Sequence, residues 1–142
     1  MSAIQTNAFI ATQRPVSASA VATAAETAFH APTQAVPVID PADNPQGLRL
    51  TKAYAITRAA PGAVVNCQLY EWSGTSYTLI DSGLLANTAP SATVANVKAV
   101  FDASEDDPLF VAPGKGLAFA IGANVANGVV CRISGGAYDP LP

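Results

Sequence analysis

The pattern of hydrophobic and polar positions changes near residue 48. Before it, large hydrophobic residues are scattered and follow no sustained period. After it, short segments alternate between apolar and polar residues, as strands with one buried face do. Glycine and proline separate these segments at intervals of about 8–12 residues. The pattern predicts an all-β chain of about seven or eight short strands with no amphipathic helix after residue 30, which is typical of an antiparallel sandwich or barrel.

The alternation also predicts which side chains face the core. The apolar face of the segment 48–58 is expected to carry Leu48, Leu50, Tyr54 and Ile56. Lys52 is an exception on that face. The next segment, 63–72, is expected to bury Val65, Cys67 and Leu69. The alanines opposite such faces are therefore predicted to form a small, uncharged outward surface, at Ala53, Ala55, Ala118 and Ala120.

The first part of the chain predicts an arm followed by one domain. Residues 1–20 are short, polar and interrupted by Pro15, so we expect an extended N-terminal arm, with a single β-sandwich domain over 21–142. The hydrophobic residues of the arm are its candidate contacts with a neighbouring subunit: Ile4, Phe9, Ile10 and Val16. The proline-rich stretch 31–47 is expected to be a loop with at most one edge strand, at 35–39.

Composition then suggests assembly. Half of the residues are hydrophobic and only 12% are charged, against about 25% in a typical soluble domain. Alanine alone makes up about a fifth of the chain. A surface so poor in charge is unusual for a freely diffusing monomer. With 7 Lys and Arg residues and a net charge of −3, the chain has too few cations for a dedicated nucleic-acid binder.

No segment predicts secretion or a membrane span. The start, residues 1–6, has no cationic residue and no apolar run after it. No stretch of about 18 apolar residues follows anywhere. We therefore expect synthesis in the cytoplasm and no membrane partner.

The residue types needed for catalysis are sparse. His30 is the only histidine, no GxSxG elbow accompanies it, and no second ligand lies near it in sequence. The Gly114-Lys115-Gly116 segment lacks the spacing of a phosphate loop and is predicted to be a turn. The sequence predicts no catalytic residue, no cofactor and no metal site.

The two cysteines and the run of acidic residues each have a structural and a functional interpretation. Cys67 and Cys131 match no metal or CxxC spacing, so buried free thiols are favoured over a disulfide or a nucleophile. The acidic run is favoured as a solvated loop over a cation site, and its members are Asp102, Glu105, Asp106 and Asp107.

An aromatic group surrounds the predicted hairpin at residues 73–75. Tyr70, Trp72 and Tyr77 lie close in sequence to Glu71 and Asp81. Aromatic rings near acids are found in sugar-binding platforms, and paired acids are found in glycosidases. Cross-strand aromatic packing explains the same pattern structurally and is favoured.

A further set of short stretches lies between Thr23 and Tyr138, and its members are Glu26 to Pro32, Gly47 to Thr51, Tyr54 to Ile56, Cys67 to Tyr70, Tyr77 to Ser82, Pro108-Leu109, Pro113-Gly114 with Leu117, and Ser134 to Tyr138. In these stretches the chain resembles a group of small bacteriophage structural proteins. The resemblance implies a compact, jelly-roll-like β-sandwich on the head surface or in the tail of a virion. It implies no catalytic residues.

We therefore expect a non-enzymatic virion protein that decorates the capsid and stabilises the head by bridging neighbouring subunits. It would be made in the host cytoplasm, bind the major capsid protein, and form a homotrimer. Two alternatives remain open. One is a carbohydrate-binding module that recognises a host surface glycan through Tyr70, Trp72 and Tyr77, and the other is a tail or neck component.

Overall fold

The alternating segments form strands throughout residues 13–138, the part of the chain that this computed structural model describes. The strands are β1 (Gln13–Ala22), β2 (Val36–Ile39), β3 (Leu48–Thr57), β4 (Val65–Trp72), β5 (Tyr77–Leu85), β6 (Lys98–Val100), β7 (Leu109–Val111), β8 (Gly116–Ile121) and β9 (Val129–Tyr138). The one helical element within this range is a short 3-10 turn, Pro41–Asp43. No helix in the described range is long and apolar enough to cross a bilayer.

Two antiparallel sheets pack face to face. The first sheet has the order β1-β9-β3-β6, with β7 also paired to β3, and the second has the order β2-β8-β4-β5. Early strands alternate between the sheets, and the first and last strands are neighbours, which is the connectivity of a jelly roll. The predicted all-β sandwich is confirmed.

One strand position of the first sheet is divided between two short strands. β6 pairs with residues Tyr54–Ile56 of β3, and β7 pairs with Leu48–Leu50 on the same side of β3. The chain leaves the sheet between them, over residues 101–108. The predicted acidic loop therefore stands at the edge of the first sheet.

The core lies between the two inner faces. Leu48, Leu50 and Ile133 from the first sheet pack in one cluster with Leu69 and Phe119 from the second. Each such side chain contributes about 1.5–3 kcal/mol relative to the exposed state. The predicted inward face of β4 is confirmed, because Val65, Cys67 and Leu69 are fully buried.

The prediction for β3 is wrong beyond Leu50, because a β-bulge reverses the strand. The register shifts between Leu50 and Lys52 in the pairing with β9, so one residue more than alternation allows is inserted. After the bulge, Ala53 and Ala55 face the core, while Tyr54 and Ile56 turn outward and are half-buried. The exceptional position of Lys52 was the sign of this reversal.

The prediction that alanines form an outward surface is also wrong. Ala53, Ala55, Ala118 and Ala120 are all at most 1% exposed. The bulge buries the first two. On β8 every residue is buried, because the outer positions Ala118 and Ala120 are covered by the Tyr70 ring and by Ala35. Alanine there permits a second layer of chain to pack over the strand.

The arm predicted over residues 1–20 does not hold for residues 13–20, which belong to β1. This strand pairs along its whole length with β9, from Gln13 opposite Tyr138 to Ala22 opposite Val129. Residues 1–12 lie outside the described part of the chain.

The edge-strand prediction for residues 35–39 agrees with β2, which pairs only with β8 in the second sheet. Pro37 lies in it, where a missing N–H is tolerated. The strands β5 and β9 extend further than predicted, to Leu85 and Tyr138. Glycine in both strands suggested turns, but the sheet continues through Gly83 and Gly135.

Candidate interaction surfaces

The candidate arm contacts separate into two groups. Ile4, Phe9 and Ile10 lie outside the described residues. Val16 lies in β1, is half-buried, and packs against the core of its own sandwich. Within this chain, Val16 is therefore a framework residue.

The three aromatic side chains predicted around the hairpin do come together on the outer face of the second sheet. Trp72 and Tyr77 are stacked, with ring centroids 5.9 Å apart and planes at 3°. Tyr70 meets the Tyr77 ring edge-on, also at 5.9 Å. Tyr70 is fully buried, so it supports the cluster and cannot stack on a sugar.

A covering segment, residues 23–35, explains the burial of Tyr70. It crosses the second sheet, where the Glu26 amide donates to the Ile121 carbonyl at 2.7 Å. The Tyr70 hydroxyl donates to the Phe29 carbonyl at 3.1 Å. The covering segment thus forms a further layer over β8 and β4.

The carboxylate of Glu26 holds this segment in shape. One oxygen accepts from the amides of Thr27 and Ala28 at 3.1 and 3.0 Å. The other accepts from Thr33 and Gln34, both at 2.6 Å. Burial alone would raise the pKa of Glu26, but the four backbone hydrogen bonds outweigh it and lower that pKa below its ordinary value. Burial, with the Glu26 charge nearby, raises the pKa of the Tyr70 phenol.

A shallow groove separates the covering segment from the edge strand β5. It has a volume of about 480 Å³ and is lined by Phe29, His30, Tyr77, Thr78 and Leu79. A second groove of about 250 Å³ adjoins it across His30 and Tyr77, with hydroxyl groups from the hairpin. The lining has aromatic rings and hydroxyls but no carboxylate, lysine or arginine.

The outer face of the β4–β5 hairpin has no charged residue. By register, its positions are Asn66, Gln68, Tyr70, Trp72, Tyr77, Leu79, Ser82 and Leu84. Together with the adjoining Val64, we call this the uncharged face. Leu84, Val64 and Leu79 are 67%, 60% and 49% exposed. Large apolar side chains this exposed on one face of a sheet are typical of a contact surface.

The outer face of the first sheet is different in character. Lys52, Lys98 and Arg132 are exposed around Tyr54, which lies opposite Arg132 and Val100 in the ladders. The ammonium groups of Lys52 and Lys98 lie 5.5 and 5.2 Å from the centre of the Tyr54 ring. We call this group of cations and its central ring the basic face.

The carboxylate of Asp81, in the edge strand β5, has backbone partners. Asp81 accepts from the amides of Ser82 and Asp102, both contacts being 2.8 Å or shorter. Asp102, Glu105, Asp106 and Asp107 are exposed. Within residues 13–138, no three His, Cys, Asp or Glu side chains lie close enough to hold a metal ion.

The favoured interpretation of the cysteines is confirmed. Cys67 and Cys131 are both free and fully buried in the core. Burial raises the pKa of each thiol to about 12, and for Cys131 the neighbouring Cys67 adds to the rise.

The exposure of Val64 and Leu84 was not predicted from the sequence, although two apolar doublets indicate it. The doublets Val64-Val65 and Leu84-Leu85 each place one residue inside, at Val65 and Leu85. Since neighbours on a strand face opposite ways, the other member of each doublet must point outward.

No protein-family model matches this chain, and no curated protein was found to be similar to it.

Proposed function

We propose that the chain is a non-enzymatic structural protein of a bacteriophage virion that decorates the head and binds the major capsid protein. The observation that carries the proposal is the uncharged face. Charged residues are depleted at the centres of protein interfaces, where apolar side chains are enriched. A β-sandwich that leaves Leu84 and Val64 this exposed has a surface suited to a protein partner.

The mechanism is bridging. Each copy buries the exposed residues of the uncharged face, Leu79, Leu84 and Val64, against the capsid protein. Contacts between copies or with a second capsid subunit link neighbouring positions. Binding only to the assembled shell stabilises it by mass action. The residue types of the uncharged face provide area without the cost of desolvating charges.

Cosedimentation with empty heads built from the cognate major capsid protein tests the proposal. Wild-type protein should bind, and the double variant Leu79→Ser, Leu84→Ser should bind about tenfold or more weakly, because two exposed apolar contacts are lost. Val21→Ser is the matched control, because Val21 is exposed on the opposite sheet. Heads that bind neither protein, or both equally, would contradict the proposal.

We infer a second candidate function from the groove, which is recognition of a neutral glycan. Its rings, Phe29 and Tyr77, offer apolar contacts for the C–H face of a sugar, and its hydroxyls offer hydrogen bonds. The stacked Trp72 is the chain's only tryptophan, so its fluorescence reports binding at Tyr77. A saturable change with oligosaccharides that is lost in Phe29→Ala, but kept in Phe110→Ala on the other sheet, would support this candidate. If none of the oligosaccharides changes the tryptophan fluorescence, this candidate is excluded.

A further inference from the structure

We propose that the basic face of one copy binds the acidic loop, residues 102–107, of a second copy. This inference deepens the proposed assembly role by naming the surfaces through which copies of the chain contact each other. Its premise is charge complementarity within one sequence. Three of the 7 Lys and Arg residues of the chain belong to the basic face, and four of its 10 Asp and Glu residues lie in the acidic loop.

The basic face concentrates positive charge without neutralising it. Lys52 and Lys98 both approach the ring of Tyr54, which holds two like charges near one another. The contacts that the described residues make to these two ammonium groups come from the ring, whose negative face attracts a cation but carries no net charge. Arg132, opposite Tyr54 on β9, adds a third cation. An anion placed here would relieve the repulsion among all three.

The acidic loop carries the complementary charge in a fixed shape. The Asp107 amide donates to the Ser104 hydroxyl at 3.0 Å, and the Ser104 amide donates to the Asp107 carbonyl at 3.2 Å. Arg49 donates to the Glu105 carbonyl at 3.1 Å, which anchors the loop by its backbone. The carboxylates of Asp106 and Asp107 therefore remain exposed. A loop whose conformation is fixed before binding loses less conformational entropy on binding than a mobile loop does.

The positions of the two surfaces favour a head-to-tail contact. The loop leaves the edge of the first sheet between β6 and β7, whereas the basic face covers the outer side of β3, β6 and β9. An edge of one copy thus meets a face of the next. Contacts of this kind are heterologous and generate a ring when the rotation closes.

Exposed apolar residues beside the cations favour a protein occupant over nucleic acid. Val100, which lies opposite Tyr54 in the ladder, is 71% exposed. A phosphate backbone would leave it uncovered, whereas a protein loop with the apolar residues Ala103 and Pro108 at its margins can pack on it.

Sedimentation velocity of the purified full chain, with no heads present, tests the proposal. We expect association at about 50 mM salt that weakens by about 500 mM, since screening shortens the reach of exposed charges. The pair Lys52→Glu, Lys98→Glu and the pair Asp106→Lys, Asp107→Lys should each raise the dissociation constant about tenfold or more. The quadruple variant exchanges both signs and should restore association. Lys115→Glu, in the turn before β8, is the control and should change nothing.

Circular dichroism and thermal melting of every variant establish that it is folded. A wild-type chain that stays monomeric, or a folded quadruple variant that fails to associate, would overturn the proposal. A monomeric chain that instead binds a DNA oligonucleotide through Lys52 and Lys98 would also overturn it. Loss of head binding in the Leu79 and Leu84 variant leaves this association unchanged, so failure of the proposed function can be distinguished from failure of this inference.

Discussion

Glu26 shows how one side chain can organise a layer of the molecule. Glu26 as a residue is 2% exposed, and its carboxylate accepts four backbone hydrogen bonds from its own segment. A buried charge is tolerated only when it is well solvated by such donors. The covering segment, the buried state of Tyr70 and one wall of the groove all depend on this arrangement.

Replacing Glu26 by Gln should lower the free energy of unfolding by roughly 2–4 kcal/mol. The amide of Gln keeps one oxygen acceptor, but its NH₂ group would face two of the four backbone N–H donors that the carboxylate now accepts from. Chemical denaturation at neutral pH measures the loss. Asp43→Asn, at an exposed carboxylate, should cost almost nothing. Equal stability of E26Q and the wild type would show that the segment is held by other contacts.

The same carboxylate predicts acid sensitivity. Its pKa is lowered by folding, so the ionised form stabilises the native state above the ordinary glutamate pKa. As the pH falls below the ordinary glutamate pKa, this contribution begins to decrease. It is lost once the pH has fallen through the lower pKa that Glu26 has in the folded protein. Unfolding free energies measured from pH 7 to about pH 3 should fall more steeply for the wild type than for E26Q. Parallel curves would contradict the assignment.

The two thiols should be unreactive in the native state. With each pKa raised to about 12, very little thiolate is present at pH 8, and the core excludes the reagent. A thiol-specific chromogenic reagent should modify neither cysteine in buffer and both in denaturant. Rapid labelling of either one in the folded protein would contradict the buried position.

Every residue of β8 is buried, so both of its sides are covered by other parts of the chain. Its outer positions Ala118 and Ala120 lie under the Tyr70 ring and Ala35. Ala118→Leu should therefore cost about 1–3 kcal/mol by overpacking, whereas Ala126→Leu in the exposed β8–β9 turn should be nearly neutral. Denaturation midpoints decide this, and a neutral Ala118→Leu would mean that the outer side of β8 is open.

The sequence predicted most strand positions and the inward face of β4, because hydrophobic alternation there is uninterrupted. It did not predict the orientation of β3 beyond Leu50, because a single inserted residue at the bulge inverts every later side chain. The close approach of β9 to this bulge has its own signal in Gly135, where a Cβ atom would overlap the Arg49 carbonyl and lie 2.8 Å from the Leu50 Cα.

The candidate surfaces were less accessible to prediction for a related reason. Alternation distinguishes two faces of a strand but does not show that a third layer covers one of them. The covering segment buries Tyr70 and leaves Leu79 and Leu84 exposed on the same face. Only the path of residues 23–35 across the sheet determines which outward side chains reach the surface.

At the scale of the whole molecule, the sandwich has two outer faces of opposite character. The uncharged face lies on the second sheet, and the basic face lies on the first. A unit with distinct surfaces on its two sides can contact different neighbours at once, which is what bridging requires. Heads saturated with the protein should therefore open at a higher temperature than bare heads, and Leu79→Ser, Leu84→Ser protein at the same concentration should give a smaller rise in calorimetry.

Electron cryo-microscopy of particles of the phage to which the proposed function assigns this chain is the most direct test. We expect two-layer β-sandwich density on the outer surface of the head, at a fixed ratio to the capsid protein, with Leu84 and Val64 against that protein. Density for the protein in the tail or neck, or particles that contain none of it, would contradict the proposed function.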